Sequence, residues 1–358
     1  MRVLQIGADR SKRGILFRGS PAFKRQEAYA ARFGHLDIIG FSLRGDGAHR
    51  IDSGPLRVYP TNSSAKWRFG LDALRIARTL PRPDVVSVQD PFETGLVGWL
   101  IARRFKVPLH VQIHADFLSP AYAQLSLVNR ARVLLARFVL RRAAGIRVVS
   151  ERIQESVQER YRLDVPVMVL PIFVDVGQFR NAIPDATLSN RFRSFTTKLL
   201  VVSRLEAEKN VQLALRAFAA STPPDSCLIV VGAGSEETLF KHFAKRLNVA
   251  ERVFFEGSRD VAPYYKLANI VLVPSRYEGY GLVIIEALAA GKPVLSTDVG
   301  VAREAGAIVT TEKDFAQDLR KWFKNGPRTG ELKGYPYKNF EEYVQAYCDD
   351  IRRCTKGK

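Results

Sequence analysis

The chain has 358 residues, 46% of them hydrophobic and 25% charged, which is enough for two domains with cores of their own. Its three cysteines, Cys227, Cys348 and Cys354, lack metal-type spacing and fit a reducing compartment without disulfides, and no apolar run reaches the roughly 18 residues of a membrane span. The net charge of +19 is uneven, with 28 Lys or Arg against 14 Asp or Glu in residues 1–172 and 27 against 22 in residues 173–358; the first half thus suits an anionic surface, and no zinc-finger, RNA-recognition or helix-turn-helix pattern points to specific nucleic acid.

The first residues, Met1 to Gly7, read as a strand, because their apolar stretch is too short for a signal peptide. Further strands are predicted over 38–41, 85–88, 109–113 and 146–149, with helices over 25–33, 72–80, 96–105 and 125–142. The 125–142 helix carries five arginines, but its Leu and Val spacing predicts a core-facing element. The second half repeats the plan, with strands over 199–202, 228–231, 253–256, 270–273 and 294–297. Such alternation predicts an α/β chain of two Rossmann-like, doubly wound domains, with ligands in a cleft at the carboxyl ends of the strands. The boundaries fall at 1–172 and 173–338, and a last helix, about 340–353, occupies the 339–358 segment.

Chemistry concentrates in the second half. Ser203-Arg204-Leu205-Glu206-Ala207-Glu208-Lys209-Asn210 follows a strand and puts two cations, Arg204 and Lys209, where they can neutralise a diphosphate without a metal. Alone they could equally be solvated loop charges. No Asp-x-Asp triplet exists to hold a metal in the alternative way, so no metal and no cofactor are expected. Pro274-Ser275-Arg276-Tyr277-Glu278-Gly279-Tyr280-Gly281-Leu282 leads from a buried strand through a Gly-rich loop into a helix over 282–290 that carries Glu286. The first turn of such a helix can cradle a diphosphate with its N–H groups. The carboxylates of Glu278 and Glu286 can accept hydroxyl hydrogen bonds on either side, and Gly279 and Gly281 allow close approach. That arrangement suits a sugar nucleotide.

In the first half, Val111-Gln112-Ile113-His114-Ala115-Asp116 and Val88-Gln89-Asp90 end strands on the predicted ligand side. Asp90 and Asp116 are acceptor-side candidates. Lys66, Trp67, Arg68 and Phe69 mix cations with large aromatics, a pattern suited to a membrane interface, though an amphipathic helix with Trp67 in the core would read the same. Gly232-Ala-Gly234-Ser-Glu-Glu237 is a broken dinucleotide fingerprint, which argues against a nicotinamide enzyme.

The Glu278/Glu286 block resembles the E-x7-E motif of the retaining, nucleotide-sugar-dependent glycosyltransferases of the GT-B fold (glycosyltransferase family four, group 1). The 203–210 segment is similar to that family's R-L-x-x-x-K-N, Val230-Val231-Gly232-Ala233-Gly234 to its V-G-x-G, and Phe254-Phe255-Glu256-Gly257 and Pro274-Ser275 to its F-x-G and P-S. The resemblance is strong over 198–306 and weaker before. It implies that Arg204 and Lys209 hold the donor phosphates, that Glu278 binds the donor sugar and Glu286 the ribose, and that Tyr280, Gly281 and Leu282 offer backbone N–H groups. It further implies that His114 reaches the transferred sugar and that the last helix packs back on the first domain.

Three departures stand out: the first loop, Gly7-Ala-Asp-Arg-Ser-Lys-Arg-Gly14, lacks the family's Gly-Gly against the donor phosphates, which leaves Gly14 as a candidate there, Pro171-Ile172-Phe173-Val174-Asp175 replaces P-N-G-V-D, and Gly300-Val301-Ala302-Arg303-Glu304 replaces G-G-x-x-E. The implied activity is retaining transfer of a hexose from a UDP- or GDP-sugar, itself a substrate, to a glycan or lipid-linked hydroxyl acceptor. The expected place is the cytoplasm, peripheral on the inner face of the membrane. A soluble glucan or sugar-phosphate enzyme of the same fold, or a non-enzymatic nucleotide or nucleic-acid binder, stays open.

Overall fold

The computed structural model describes residues 1–10 and 14–356. The chain forms two compact units, Met1–Pro171 with Tyr337–Lys358, and Ile172–Pro336. Each is built on one largely parallel sheet.

The first sheet contains β1 (Arg2–Gly7), β2 (His35–Gly40), β3 (Ile51–Ser53), β4 (Leu56–Pro60), β5 (Val85–Val88), β6 (Leu109–Ile113), β7 (Gly145–Val148) and β8 (Val167–Val169). Their order is β3-β4-β2-β1-β5-β6-β7-β8, parallel throughout except for the β3–β4 hairpin. Every residue of β5, β6 and β7 is buried, as expected for strands packed on both faces. The second sheet contains β9 (Thr197–Val202), β10 (Ser226–Val231), β11 (Val253–Gly257), β12 (Ile270–Val273), β13 (Val294–Thr297) and β14 (Ile308–Thr310), all parallel, in the order β11-β10-β9-β12-β13-β14. Chain order reverses between β1 and β5 in one sheet and between β9 and β12 in the other. Loops at such switch points diverge to opposite faces and leave a crevice at the strands' carboxyl ends.

The helix Phe340–Lys356 belongs to the first unit. Tyr347 stacks on Tyr29 with centroids 4.0 Å apart. Asp350 Oδ2 lies 3.0 Å from the buried His110 Nε2, and Arg147, fully enclosed, donates to the Tyr343 hydroxyl and to Leu170 O. Buried polar groups of this kind are tolerated because each is hydrogen-bonded. Tyr337 donates to Pro171 O, which places the start of the returning segment in this unit.

Several elements differ from the sequence prediction. The β3–β4 hairpin, β8 and β14 have only three to five residues each, and such short edge strands leave no periodic signal. The predicted 125–142 helix is present as Leu127–Leu140, its start set by the Ser126 side chain, which accepts from Asn129 N, and a short helix that was not predicted, Pro120–Gln124, precedes it. The Leu127–Leu140 helix turns only some of its leucines and valines inward. Ala136, Val139 and Leu140 face the core, while Leu127, Val128 and Leu134 lie in solvent. The apolar residues outnumber the positions that one buried stripe can hold.

Candidate functional site

The loops after β9 and β12 flank the switch point of the second sheet, and both carry the residues singled out by sequence. Lys209 Nζ donates to Glu278 Oε1 at 2.6 Å, and Ser275 Oγ donates to the same oxygen at 2.8 Å. Both side chains of the ion pair are mostly buried. Arg204 is exposed and donates to Glu208 Oε1 at 2.8 Å. Glu208 O in turn accepts from Arg276 N, which ties the two loops together.

Glycines set how closely these loops approach. Gly232 has φ +134°, and a Cβ there would fall 1.8 Å from Ser203 O; a Cβ on Gly234 would fall 2.3 Å from Leu205 O. The Val-Gly-Ala-Gly turn therefore packs directly under the Arg204 loop. Gly300, at φ +52°, would place a Cβ 2.3 Å from Tyr280 O and 3.2 Å from Glu278 Cβ, while Val301 N donates to Tyr280 O. The single glycine of Gly300-Val301 is thus the one that the Glu278–Tyr280 turn needs. Gly281 stands at φ +91° as the cap of the helix Leu282–Ala289, and its backbone conformation is one that glycine adopts freely.

Glu286, on that helix, is half-buried and accepts from the Tyr265 hydroxyl at 2.7 Å. Burial pushes its carboxyl above the ordinary range, and the Tyr265 hydrogen bond pulls the other way. Tyr265 is completely enclosed, with Phe179 edge-on at 5.6 Å. Sequence reasoning did not find Tyr265. It lies on the helix Ala262–Leu267, and nothing in Pro263-Tyr264-Tyr265-Lys266 separates it from a core aromatic. Neither Glu208 nor Ser275 was singled out by its own chemistry, though both sit inside the quoted motifs. Asn210, the last residue of the Lys-Asn pair, buries an amide Nδ2 that has no hydrogen-bond partner.

In the first unit, Gly14, Asp90 and His114 follow the adjacent strands β1, β5 and β6. A Cβ on Gly14 would meet the Asp9 carboxylate at 2.8 Å, so the glycine allows the β1 loop to close on Asp9. Ser11, Lys12 and Arg13 of that loop lie outside the described residues. Asp90 Oδ1 accepts from Phe92 N at 2.8 Å at the start of the helix Glu93–Phe105, and burial raises its pKa. Burial also raises that of the partly accessible Asp116. His114 is exposed to solvent. The surrounding protein, and then the guanidinium groups of Arg147 and Arg25, lower its pKa, so the imidazole is neutral at pH 7.

The 66–69 cluster divides. Trp67 is 73% exposed, which rules out the core reading for its ring. Arg68 stacks over it at 5.4 Å and lies near Asp72. Phe69 is half-buried and packs on Phe41 at 5.3 Å, so its ring is partly committed to the interior. Among the described residues no helix is long and apolar enough to cross a membrane.

Comparison with known proteins agrees with this layout. Residues 26–172 match the family model described as glycosyl transferase 4-like domain, and residues 189–339 match that of glycosyl transferases group 1. An alpha-monoglucosyldiacylglycerol synthase of Streptococcus pneumoniae is 29% identical over 264 residues, covering 69% of this chain and 58% of that protein. A D-inositol 3-phosphate glycosyltransferase of Actinosynnema mirum is 30% identical over 231 residues, covering 58% of this chain and 54% of its own length. The chain thus spans little more than half the length of these curated relatives. Among solved structures, sucrose-phosphate synthase from Thermosynechococcus elongatus superposes with a TM-score of 0.75 at 18% identity, over 99% of this chain and 94% of that one. Anabaena HepE in complex with UDP-glucose gives 0.69 at 19%, over 99% and 97%. The architecture is the GT-B fold. Between them the two models span most of the chain, and it belongs to the group 1 glycosyltransferases.

Proposed function

We propose that this protein transfers a hexose from a nucleoside-diphosphate sugar to a hydroxyl acceptor with retention of configuration and without a metal. The observation that carries the reading is the Lys209–Glu278 pair at 2.6 Å, with Glu278 in the loop that leads into a glycine-capped helix carrying Glu286 one turn beyond its start. Lys209 and Arg204 are the cations for the diphosphate. Glu278 is the acceptor of hydrogen bonds from the donor sugar, and Glu286, held by Tyr265, that from the ribose. Tyr280, Gly281 and Leu282 line the turn where backbone N–H groups meet the phosphate. In the reaction the bond from C1 to the phosphate oxygen breaks and a bond from C1 to the acceptor oxygen forms on the same face. The acceptor proton passes to the departing diphosphate. Charge grows on that diphosphate as the bond breaks, so Lys209 and Arg204 act most strongly in the transition state. Neutral His114 is a hydrogen-bonding partner for the transferred sugar, with Asp90 and Asp116 on the acceptor side.

A lipid-linked or growing surface glycan is the acceptor this reading favours, with the protein peripheral on the inner face of a membrane. The basic first half supports it, as does the printed name of the pneumococcal relative, a synthase of a glucosyl lipid. A UDP-sugar donor draws support from the UDP-glucose bound to HepE. A sugar-phosphate acceptor is the second reading, favoured by the likeness to sucrose-phosphate synthase.

The deciding experiment is calorimetric titration with UDP, GDP and ADP in metal-free buffer, alongside Glu286→Gln. Micromolar binding of one diphosphate, weakened in the variant, is expected. Absence of binding to all three, together with no hydrolysis of their sugar conjugates in the presence of vesicles, would remove the reading. The anomeric coupling constant of the product, measured by NMR, tests retention.

A further inference from the structure

We infer that the outer side of the Leu127–Leu140 helix, continued by its neighbours, docks on an anionic lipid bilayer. Among the described residues ten large hydrophobic side chains are exposed, and seven of them fall between Trp67 and Leu134. They sit on neighbouring elements of the first unit. The helix Phe69–Thr79 packs on Glu93–Phe105, which packs on Leu127–Leu140. Leu127 is 78% exposed, Leu134 72% and Val128 58%.

The pattern on the helix is what an interfacial element requires. Leu127, Arg130, Ala131, Leu134, Arg137 and Arg141 are spaced by three and four, so they form one stripe. All six are exposed. Leucine stems would enter the headgroup–acyl boundary while the arginines beside them reach phosphate. Toward Glu93–Phe105 the seam is of the same character: Trp99 meets Phe138 edge-on at 4.9 Å, and Arg142 lies over both rings.

Charge selects the occupant. No Asp or Glu occurs between Asp116 and Glu151, while six arginines do, five of them on or next to this helix. A second copy of the chain meeting this face symmetrically would oppose arginine to arginine. An anionic bilayer is complementary to both the charge and the apolar stripe. This rests on the peripheral-membrane part of the proposed function but not on the donor site.

The test is flotation of the full chain with vesicles of phosphatidylcholine containing one third phosphatidylglycerol, and with phosphatidylcholine alone. Binding to the anionic vesicles that weakens with salt is expected. Leu127→Ser with Leu134→Ser should lower the partition coefficient roughly tenfold or more, and Arg130→Gln with Arg137→Gln should remove most of the salt dependence. Ile183→Ser, an equally exposed apolar site on the second unit, should bind like the parent. All these sites are exposed, so unchanged circular-dichroism melts should accompany the losses. The inference fails if the parent does not float with anionic vesicles, or if the double-Ser variant floats as well as the parent. It fails too if that variant changes only the sedimenting mass, which would mark a face for self-association. Titration with UDP in lipid-free buffer is independent of all these outcomes, so loss of the docking face and loss of the donor site can be told apart.

Discussion

Lys209→Met separates the structural and chemical roles of the ion pair in the proposed donor site. The pair is 2.6 Å long, its side chains are 15% and 17% exposed, and Ser275 already donates to the same Glu278 oxygen. An exposed pair contributes about 0–1 kcal/mol to stability, whereas breaking a fully buried one costs about 3–5 kcal/mol. With residual water access and Ser275 left in place, a loss near the lower end, about 1–2 kcal/mol, is expected. For a unit of this size that corresponds to a fall of roughly 2–8 °C in Tm. Catalysis should suffer more. A charge positioned for developing negative charge contributes about 2.7–4 kcal/mol to the barrier, so kcat should fall by about 10²–10³. Differential scanning calorimetry and a coupled assay for nucleoside-diphosphate release measure the two effects separately. Glu278→Gln and the double variant complete the cycle, and the double variant should recover part of the Tm loss but none of the kcat loss. A kcat within tenfold of the parent would refute the placement of Lys209 at the leaving group, however large the change in Tm.

Tyr265→Phe leaves the core ring in place and removes the hydroxyl that holds Glu286. KM for the nucleotide sugar should rise about three- to tenfold, the equivalent of one ordinary hydrogen bond, with kcat and Tm nearly unchanged; an unchanged KM would show that Glu286 needs no such anchor. Gly300→Ala forces a Cβ to within 2.3 Å of Tyr280 O at a positive φ, so Tm should drop by several degrees and donor binding weaken, as followed by thermal melts with and without UDP. The lowered pKa of His114 has a sign that can be tested: below about pH 6.5 the unfolded chain takes up a proton more readily than the folded chain, by an amount that the exposure of the ring keeps small. Stability from this group is therefore lost as the pH falls through that window, and His114→Gln should flatten the acid limb of a urea-midpoint profile. An unaltered acid limb would mean that the imidazole titrates normally in the folded chain.

Much of the second unit was legible because its chemistry is local. Arg204, Lys209, Glu278, Glu286 and the glycines between them lie in two short segments, each bounded by a buried strand that the apolar run marks clearly. The missed residues act across the sequence. Tyr265 reaches Glu286 from 21 residues away, and its identity as a hydroxyl donor and not a core ring depends on packing that no window reveals. Asp90 reads as a free carboxylate in the sequence, yet one of its oxygens is committed to the backbone at Phe92. The Leu127–Leu140 helix misled for the opposite reason. Its periodicity is genuine, but a helix with apolar residues on more than one face does not announce which face the sheet will take.

The side chains assigned to the donor in the proposed function are paired with one another. Lys209 is matched to Glu278, Arg204 to Glu208 and Tyr265 to Glu286, each within 2.8 Å. On the proposed reading a diphosphate sugar enters by exchange: its phosphates must take cations from carboxylates, and its hydroxyls must replace the ammonium of Lys209 at Glu278. Exchange of one charge-assisted hydrogen bond for another yields a small net gain, so ground-state affinity stays modest. The balance shifts only when the leaving diphosphate gathers charge, because Glu278 gains nothing at that moment while Lys209 and Arg204 gain directly. Binding energy withheld from the ground state in this way appears as rate. Glu208→Gln discriminates this account from a passive surface contact. Freed of its partner, Arg204 should bind UDP more tightly without raising kcat, whereas tighter binding with a matching rise in kcat would show that Glu208 restrains the transition state as well.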